Sequence, residues 1–301
     1  MKSEISYQDY LAAKKEIDDA ALNTNVLNCC YDELGKKENP EIVELGAGTG
    51  AMAERFLDAG AKFQSYTLVD ELKENTQRSF KHLLDVLQKK QIPHRAEKLC
   101  ITFGLNSGQR EFRFATADCF NYLEDTSDKY DLLIACALID LLPIRKTVKR
   151  FLGAVKPDGL FYFPINFDGE TIFEPVTNPE REERLMREYH RTMDERVIKG
   201  AVSGDSKTGR KLFSLIPKLG GKILSGGASD WVVFPNGNRY QGDTDIFLRF
   251  ILDTVRIALD AVEADDKSDL ISWYAERLEQ LEQRKLTYIA HQLDILGQLE
   301  P

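Results

Sequence analysis

The sequence predicts an α/β fold, in which helices cover both faces of a mostly parallel sheet. Two observations carry this prediction. Short apolar runs alternate along the chain with longer amphipathic segments, and a glycine-rich turn at 46–50 joins the first run to a helical segment. Strands that alternate with helices are typical of βαβ units, whose strands pair in parallel and whose helices pack on the sheet.

The first half of the chain contains the clearer strand signals. The runs 131–137 and 159–165 are continuously apolar, which is typical of strands covered on both faces. Gly60 ends one helix and Pro93 follows the end of another. The stretch 98–117 reads as two strands around the turn 106–108, an addition to a simple βαβ series. We predict strands at 41–45, 65–69, 98–117 (two), 131–137 and 159–165, and helices at 6–35, 51–59 and from 71 to about 90.

The second half is richer in helical patterns. We expect a strand at 222–234, interrupted by the pair Gly226 and Gly227. The segment 286–296 alternates apolar and polar residues and fits either a strand or an extension of the preceding helix, and we favour the strand. Helices are predicted at 178–199, 207–219, 244–262 with Thr244 as its cap, and 268–284 with Ser268 as its cap.

Composition limits the class of protein. The chain has 301 residues, 43% of them hydrophobic, and a net charge of −9, values that are typical of a folded globular protein. No apolar run approaches the ~18 residues of a membrane span, and the polar start is unlike a signal peptide, so we expect a cytoplasmic protein that binds no membrane. The acidic charge argues against a protein that coats nucleic acid. Five cysteines without a CxxC spacing predict neither a disulfide framework nor a zinc site.

The glycine turn is the sharpest signal for function. Glycines let a backbone turn tightly and approach a nucleotide-like ligand. Gly46, Gly48 and Ala51 formally match the GxGxxA spacing of dinucleotide sites, so spacing alone leaves a nicotinamide cofactor open. Asp70 serves either cofactor, because its carboxylate can accept hydrogen bonds from ribose hydroxyls. Glu44 favours a cofactor with a cationic end, because a carboxylate two residues before the first glycine would repel a pyrophosphate.

At these residues the sequence resembles the class I methyltransferases that depend on S-adenosylmethionine. The resemblance continues in order over 41–165, through 117–119, 130–136 and the turn 155–160. It implies a Rossmann-like, seven-stranded sheet whose last strand is antiparallel. It also implies S-adenosyl-L-methionine as cofactor and S-adenosyl-L-homocysteine as product. The cofactor-binding residues implied are Glu44, Gly46, Ala47, Gly48, Asp70, Glu71, Asp118, Cys119 and Cys136.

The roles of these residues follow from the same resemblance. Asp70 stands where the family binds the ribose hydroxyls, and Glu71 follows it directly. Asp118 matches the residue that accepts from the adenine amino group, with the Cys119 amide against the ring. Cys136 ends the strand that lies beside the sulfonium, and we expect both cysteines to be lining residues and not nucleophiles.

We expect one methyltransferase domain over residues 1–301. Within it, 1–35 would form an N-terminal helical cover, 36–165 the cofactor-binding core, 166–205 a helical lid and 206–301 the remaining sheet edge and helices. The lid helix would carry Tyr189, His190 and Arg191 over the site.

The acceptor side is less well defined by sequence. Ligands of open α/β sheets lie beyond the carboxyl ends of the strands, where Asp140, Asn166 and Asp168 are expected. Asp140 can be interpreted in two ways. It can act as a base or orient the acceptor, or it can be a structural residue at the start of a helix. The three residues together resemble the oxygen ligands of magnesium-dependent catechol methyltransferases, but the Asp-Asn pair of that family is missing and we predict no metal. We leave the catalytic residue unassigned.

The resulting prediction is a methyltransferase that acts on a small molecule at O, N or C, as a monomer or homodimer. The alternatives are a nicotinamide-dependent oxidoreductase and a non-catalytic binding protein on the cofactor fold. An RNA or protein methyltransferase is a third alternative, which is disfavoured by the acidic charge and by the absence of the Pro-Cys and Asn/Asp-Pro-Pro-aromatic motifs. Residues 181–222 hold eleven Lys or Arg against six Asp or Glu, which raises the hypothesis of an anionic acceptor attracted by Arg187 and Arg191.

Overall fold

The computed structural model describes residues 5–105, 108–126, 129–198, 200–262 and 267–301. A ten-stranded sheet forms its centre, and helices pack on both faces. Twelve strands are present in the described residues: β1 Glu41–Leu45, β2 Ser65–Asp70, β3 His94–Glu97, β4 Cys100–Leu105, β5 Gly108–Thr116, β6 Tyr130–Ile134, β7 Val155–Glu174, β8 Val197–Ile198, β9 Ala201–Val202, β10 Gly221–Ala228, β11 Trp231–Val233 and β12 Thr287–Leu299.

The helices alternate with the strands in the first half and dominate the second. Helices α1 and α2 precede the sheet, and α9 and α10 precede its last strand. A short 3-10 helix, Ile139–Leu141, follows β6. The helices are α1 Tyr7–Ala21, α2 Thr24–Gly35, α3 Ala51–Asp58, α4 Lys73–Lys89, α5 Cys119–Asp125, α6 Ile144–Leu152, α7 Pro179–Asp194, α8 Thr208–Lys218, α9 Thr244–Asp260 and α10 Ser268–Glu282.

The strand order confirms the predicted fold class. From edge to edge the sheet reads β10-β12-β7-β6-β1-β2-β5-β4-β3, and β11 also pairs with β12. Strands β5, β2, β1, β6 and β7 are parallel, whereas β12 is antiparallel to β7 and to β10. The order reverses between β1 and β6, and ligands of open α/β sheets bind at such a reversal.

The core follows from the alternation of side chains along the strands. Ile42 belongs to the apolar cluster on one face of the sheet and Val43 to the cluster on the other, and both are fully buried. Successive strand residues point to opposite faces, so a continuously apolar run requires helices on both sides. The predicted covering of both faces is therefore confirmed.

Several predicted boundaries differ from the structure. The predicted helix 6–35 is broken at Leu22 and Asn23, because Asn23 starts α2 by accepting from the Val26 amide. Thr244 and Ser268 are the first residues of their helices and not the caps, which are Asp243 and Lys267. The paired strands predicted at 98–117 are present, preceded by β3, but turn positions 106 and 107 lie outside the described residues.

Strand β7 is longer than the predicted strand 159–165. It extends from Val155 to Glu174, because β12 pairs with it as far as Glu174 and supplies the hydrogen-bond partners that a lone strand would lack. The strand predicted at 286–296 is confirmed as β12. One consequence is that Asn166 and Asp168 lie within β7, not beyond its end.

Aromatic packing joins α1 to α9. Tyr10 of α1 stacks on Phe250 of α9 with ring centroids 4.0 Å apart, and on Phe247 at 5.7 Å. Stacked aromatic pairs stabilise beyond the area that they bury. Among the described residues, we find no helix with both the length and the apolar composition that a membrane crossing requires.

Candidate active site

A cavity of about 880 Å³ lies at the carboxyl ends of the parallel strands. Its walls come from the glycine turn after β1, the end of β2, the start of α5, the segment after β6, and helices α1, α7 and α9. The sequence-predicted site residues all line this one cavity: Glu44, Gly46, Ala47, Gly48, Asp70, Glu71, Asp118, Cys119 and Cys136.

The amides of the glycine turn donate hydrogen bonds to other groups of the protein. Gly46 and Gly48 have φ values of +70° and +53°, which glycine adopts without strain. The amides of Gly46 and Ala47 donate to the Val69 carbonyl at 2.9 and 3.0 Å, and the Gly48 amide donates to Asp70 Oδ2 at 2.8 Å. These three amides are therefore not free to hold a pyrophosphate, which argues against a dinucleotide at this turn.

Asp70 is fixed by three donors at the end of β2. Besides the Gly48 amide on Oδ2, its Oδ1 accepts from the Leu72 amide at 2.9 Å and from Asn75 Nδ2 at 3.0 Å. Burial nevertheless raises the pKa of Asp70 above its ordinary value. The side chain is 9% exposed, and it faces the cavity beside the turn that it holds.

Glu44 places a second carboxyl group in the wall of the cavity. It is 2% exposed, and the Tyr66 hydroxyl donates to its Oε2 at 2.8 Å. Burial raises the pKa of Glu44 to about 8. A carboxyl group in such a setting gains from a cationic partner, because an adjacent positive charge stabilises the ionised form.

Asp118 and the two cysteines complete the predicted set. Asp118 caps α5, and its Oδ1 accepts from the amides of Phe120 at 2.9 Å and Asn121 at 3.2 Å. Burial raises the pKa of both Cys119 and Cys136 to about 12. A thiol with such a pKa is a weak nucleophile, which supports the expectation that both cysteines line the site without reacting.

Helices α1 and α7 form the cover of the cavity. Leu11 of α1 lies over the glycine turn, where its Cδ1 would be 3.6 Å from a Cβ on Gly48. Tyr189 and Arg196, on and just after α7, also line the cavity. His190, by contrast, is absent from the lining, and one of its ring nitrogens lies 2.9 Å from Thr171 Oγ1.

The sequence did not predict that residues of the last two strands would line the cavity. Trp231 of β11 and Tyr288 and Gln292 of β12 line the cavity. No local signal could have identified them, because they reach the site only through the pairing of β12 with β7 and β11. The alternation along β12 puts Tyr288 and Gln292 on the same face.

Asp140 lies in the short 3-10 helix after β6 and faces the cavity. Its Oδ1 is buried and has no hydrogen-bond partner among the described residues. Burial raises the pKa of Asp140 to about 6. The interpretation as a purely structural helix-start residue is therefore weakened, because Oδ1 accepts from no backbone amide, although a hydrogen bond from the Asp140 amide itself lowers the pKa of the carboxyl group in part.

The three oxygen-bearing residues considered for a metal do not converge. Asp168 forms an ion pair with Arg210, with Oδ2 at 2.9 Å from Nε, and Asn166 Nδ2 donates to the carbonyls of Phe163 and Leu293. Neither lines the cavity with Asp140. Within the described ranges, no group of three or more His, Cys, Asp or Glu side chains is placed to hold a metal ion.

The structure does not support the hypothesis that Arg187 and Arg191 attract an anionic acceptor. Arg187 is paired with Glu183 at 2.6 Å and its side chain is 70% exposed. Arg191 is paired with Glu188 and with Glu195, the latter at 2.9 Å. Neither arginine lines the cavity, so this part of the charge asymmetry belongs to a solvated helix face.

The strand order and the glycine turn define the class I fold of methyltransferases that use S-adenosylmethionine. Residues 24–205 match the family described as "Putative S-adenosyl-L-methionine-dependent methyltransferase", and the chain belongs to this family. The protein is thus an enzyme with S-adenosyl-L-methionine as cofactor, which decides against the nicotinamide-dependent and non-catalytic alternatives. No protein among curated sequences matches the chain.

The chain is similar to several solved structures. A "putative methyltransferase" from Bacillus halodurans superposes with a TM-score of 0.52 at 9% identity, over 92% of this chain and 100% of that one. The YcgJ protein of Bacillus subtilis superposes with a TM-score of 0.49 at 15% identity, over 93% of this chain and 100% of that one. A methyltransferase from Thiobacillus denitrificans, in complex with S-adenosyl-L-homocysteine, superposes with a TM-score of 0.45 at 13% identity, over 93% of this chain and 96% of that one.

Proposed function

We propose that the enzyme methylates a small molecule held in the same cavity as the cofactor. The observation that carries this proposal is the cover of the cavity by α1, α7 and α9. Its volume of about 880 Å³ lies within the range of small-molecule sites, roughly 300–1,000 Å³. A covered pocket of this size favours a metabolite over a macromolecular surface, which would need an open platform.

The residues of the cavity fit the cofactor in a defined order. Glu44 is assigned to the cationic amino end, Asp70 and Glu71 to the ribose, Asp118 and Cys119 to the adenine, and Cys136 to the neighbourhood of the sulfonium. The fit rests on the chemistry of the accepting groups. Glu44 and Asp70 offer carboxylates where the cofactor carries an ammonium and hydroxyl groups, and the amides of the turn are already satisfied internally.

When bound, the cofactor supplies an electrophilic methyl group, so the protein has little covalent chemistry to perform. The chain's own contribution is to bind, align and exclude water. Residues 36–165 would form the cofactor core, and 1–35 and 166–205 its two covers. The aromatic side chains of the covers would keep water from the reacting atoms.

Calorimetric titration of the full chain with S-adenosylmethionine and S-adenosylhomocysteine tests the cofactor assignment. We expect dissociation constants of tens of micromolar or lower, which correspond to a binding free energy of about −6 kcal/mol or more negative. Transfer from methyl-labelled cofactor into a cell extract, divided into small-molecule and macromolecular fractions, then tests the acceptor. Label confined to the macromolecular fraction would contradict a small-molecule acceptor, and absence of cofactor binding would contradict the site.

A further inference from the structure

Some residues that line the cavity are not among those assigned to the cofactor. We call five of them the acceptor end: Asp140, Phe167, Tyr189, Tyr288 and Gln292, which come from the segment after β6, from β7, from α7 and from β12. Gln292 pairs with Phe167 between β12 and β7, and Tyr189 interacts electrostatically with Asp140 and Tyr288. Three of the five are aromatic. Aromatic faces attract cations as well as apolar groups, because the ring quadrupole places negative charge above and below the plane.

The charges around the cavity favour a cationic ligand. Seven carboxyl side chains line it, against four basic side chains. Each basic side chain is already engaged by an oxygen of the protein. Lys14 pairs with Asp18, Lys15 and Arg55 pair with Asp19, and Arg196 donates to the main-chain oxygens of Asp140 and Ser203.

Two oxygens at the acceptor end, by contrast, have no partner among the described residues. They are Asp140 Oδ1 and Gln292 Oε1, and both are buried. A buried acceptor without a donor is destabilising by about 1–3 kcal/mol, and more when it is charged. The charged groups that face Asp140 are Arg196 and Lys14, and neither donates to Oδ1. A ligand that brings N–H donors and a positive charge would satisfy the Asp140 carboxylate.

We propose that the methyl acceptor is an amine, which binds in its ammonium form against Asp140 and gives a proton to Asp140 Oδ1. The inference rests on the proposed function and names the substrate class of that site. The proton passes from nitrogen to Oδ1, and the electron pair of the broken N–H bond stays on nitrogen as the lone pair that methylation requires. Asp140 becomes a neutral acid and afterwards releases the proton to water.

The environment of Asp140 suits this exchange. Because burial raises its pKa to about 6, the carboxylate is a stronger base than an exposed Asp and is still ionised at neutral pH. The carboxylate would act as a catalytic residue, since it touches the substrate itself. Gln292 of β12 would orient the amine through its side-chain amide group.

Three probes of nearly equal size test the charge preference: benzylamine, benzyl alcohol and benzoate. Each is titrated into the full chain saturated with S-adenosylhomocysteine, and binding is followed by calorimetry. We expect benzylamine to bind at least about tenfold more tightly than the other two, a difference of about 1.4 kcal/mol. Equal or tighter binding of benzoate or benzyl alcohol would overturn the proposal, as would the failure of all three to bind.

The variant Asp140→Asn keeps the size of the side chain and removes its charge. It should remove the preference for benzylamine while S-adenosylhomocysteine binds within about twofold of its original affinity. Asp85→Asn, an exposed position on α4 outside the cavity, is the matched control and should keep the preference. A retained preference in Asp140→Asn would overturn the role of Asp140.

Failure of this inference can be told apart from failure of the proposed function. Absence of S-adenosylhomocysteine binding counts against the cofactor site, whereas normal cofactor binding without an amine preference counts only against the acceptor class. The ranking of the three probes on the unaltered chain does not depend on the folding of any variant.

Discussion

The Gly48 amide donates a hydrogen bond of 2.8 Å to Asp70 Oδ2. The carboxylate that ends β2 therefore holds the glycine turn that follows β1. The Val69 carbonyl accepts from the Gly46 and Ala47 amides and strengthens the same junction. Two motifs that are separated in sequence thus form one structural unit, and the residues that hold the turn together also line the cavity.

Asp70→Asn should weaken both the fold and the cofactor site. The asparagine can keep one oxygen as an acceptor, but its amide group would face a donor, either the Gly48 amide or the Leu72 amide with Asn75. We expect a loss of about 1–3 kcal/mol in the free energy of unfolding, measured by urea denaturation, and weaker binding of S-adenosylhomocysteine. Unchanged stability would show that these hydrogen bonds contribute little. Asp85→Asn is the control, since Asp85 is exposed.

Substitutions at Gly48 should separate backbone strain from blockage of the site. A Cβ at this position would be 3.6 Å from Leu11 Cδ1, an ordinary contact, so Gly48→Ala is limited by its φ of +53°. That strain is about 1–2 kcal/mol. Gly48→Arg has the same backbone strain, but its long side chain would fill the cavity.

We therefore expect the two Gly48 variants to have similar thermal stability and different binding. Gly48→Ala should bind S-adenosylhomocysteine more weakly than the parent chain, and Gly48→Arg should show no binding by calorimetry. Equal affinities for the alanine and arginine variants would place the cofactor elsewhere in the molecule.

Glu44 should make the stability of the ligand-free chain depend on pH. Its pKa is about 8 in the fold, against an ordinary value of 4.5. Between these values the folded chain holds a proton that the unfolded chain releases, so the contribution of Glu44 to stability falls as the pH rises. The slope is at most about 1.4 kcal/mol per pH unit.

Glu44→Gln removes this titration and leaves an acceptor for the Tyr66 hydroxyl. Relative to the parent chain, the variant should become progressively more stable from about pH 5 to pH 8, as measured by urea unfolding at several pH values. A stability difference that does not change with pH would show that Glu44 titrates normally. Binding of S-adenosylhomocysteine should be weakened in the same variant, since a neutral amide cannot balance an ammonium group.

The residues that we assign to the cofactor could be expected to lie together from sequence alone, because their signals are local. The residues Glu44, Gly46 and Gly48 lie on one strand and turn, and Asp70 ends the adjacent strand, so the order of motifs along the chain matches their order in the sheet. In such a parallel arrangement, the carboxyl ends of neighbouring strands meet at one edge.

The acceptor half could not be predicted in the same way. Tyr288 and Gln292 belong to β12, whose position between β7 and β10 is determined by long-range pairing and not by its own composition. The same pairing lengthens β7 and moves Asp168 away from the predicted strand end. Arg187 and Arg191 of helix α7 pair with nearby glutamates and do not line the cavity, which composition alone cannot reveal.

The cover over the cavity should be held closed in part by an ion pair between α1 and α3. Asp19 Oδ1 of α1 lies 2.5 Å from Arg55 Nε of α3, and their side chains are 38% and 11% exposed. With the cofactor placed as proposed, we expect release of S-adenosylhomocysteine to require this cover to open, because Leu11 of the same helix lies over the glycine turn. A partly exposed pair contributes up to about 1 kcal/mol, which corresponds to a change of about fivefold in rate.

Asp19→Asn should therefore accelerate the release of S-adenosylhomocysteine by up to about fivefold in stopped-flow measurements, and high salt should reduce the difference between variant and parent. Asp58→Asn is the matched control, because Asp58 of α3 pairs with Lys90 at 2.9 Å and does not contact α1 through that pair. The control should release the product at the parental rate. Equal release rates for Asp19→Asn and the parent would mean that α1 does not gate the cavity through this ion pair.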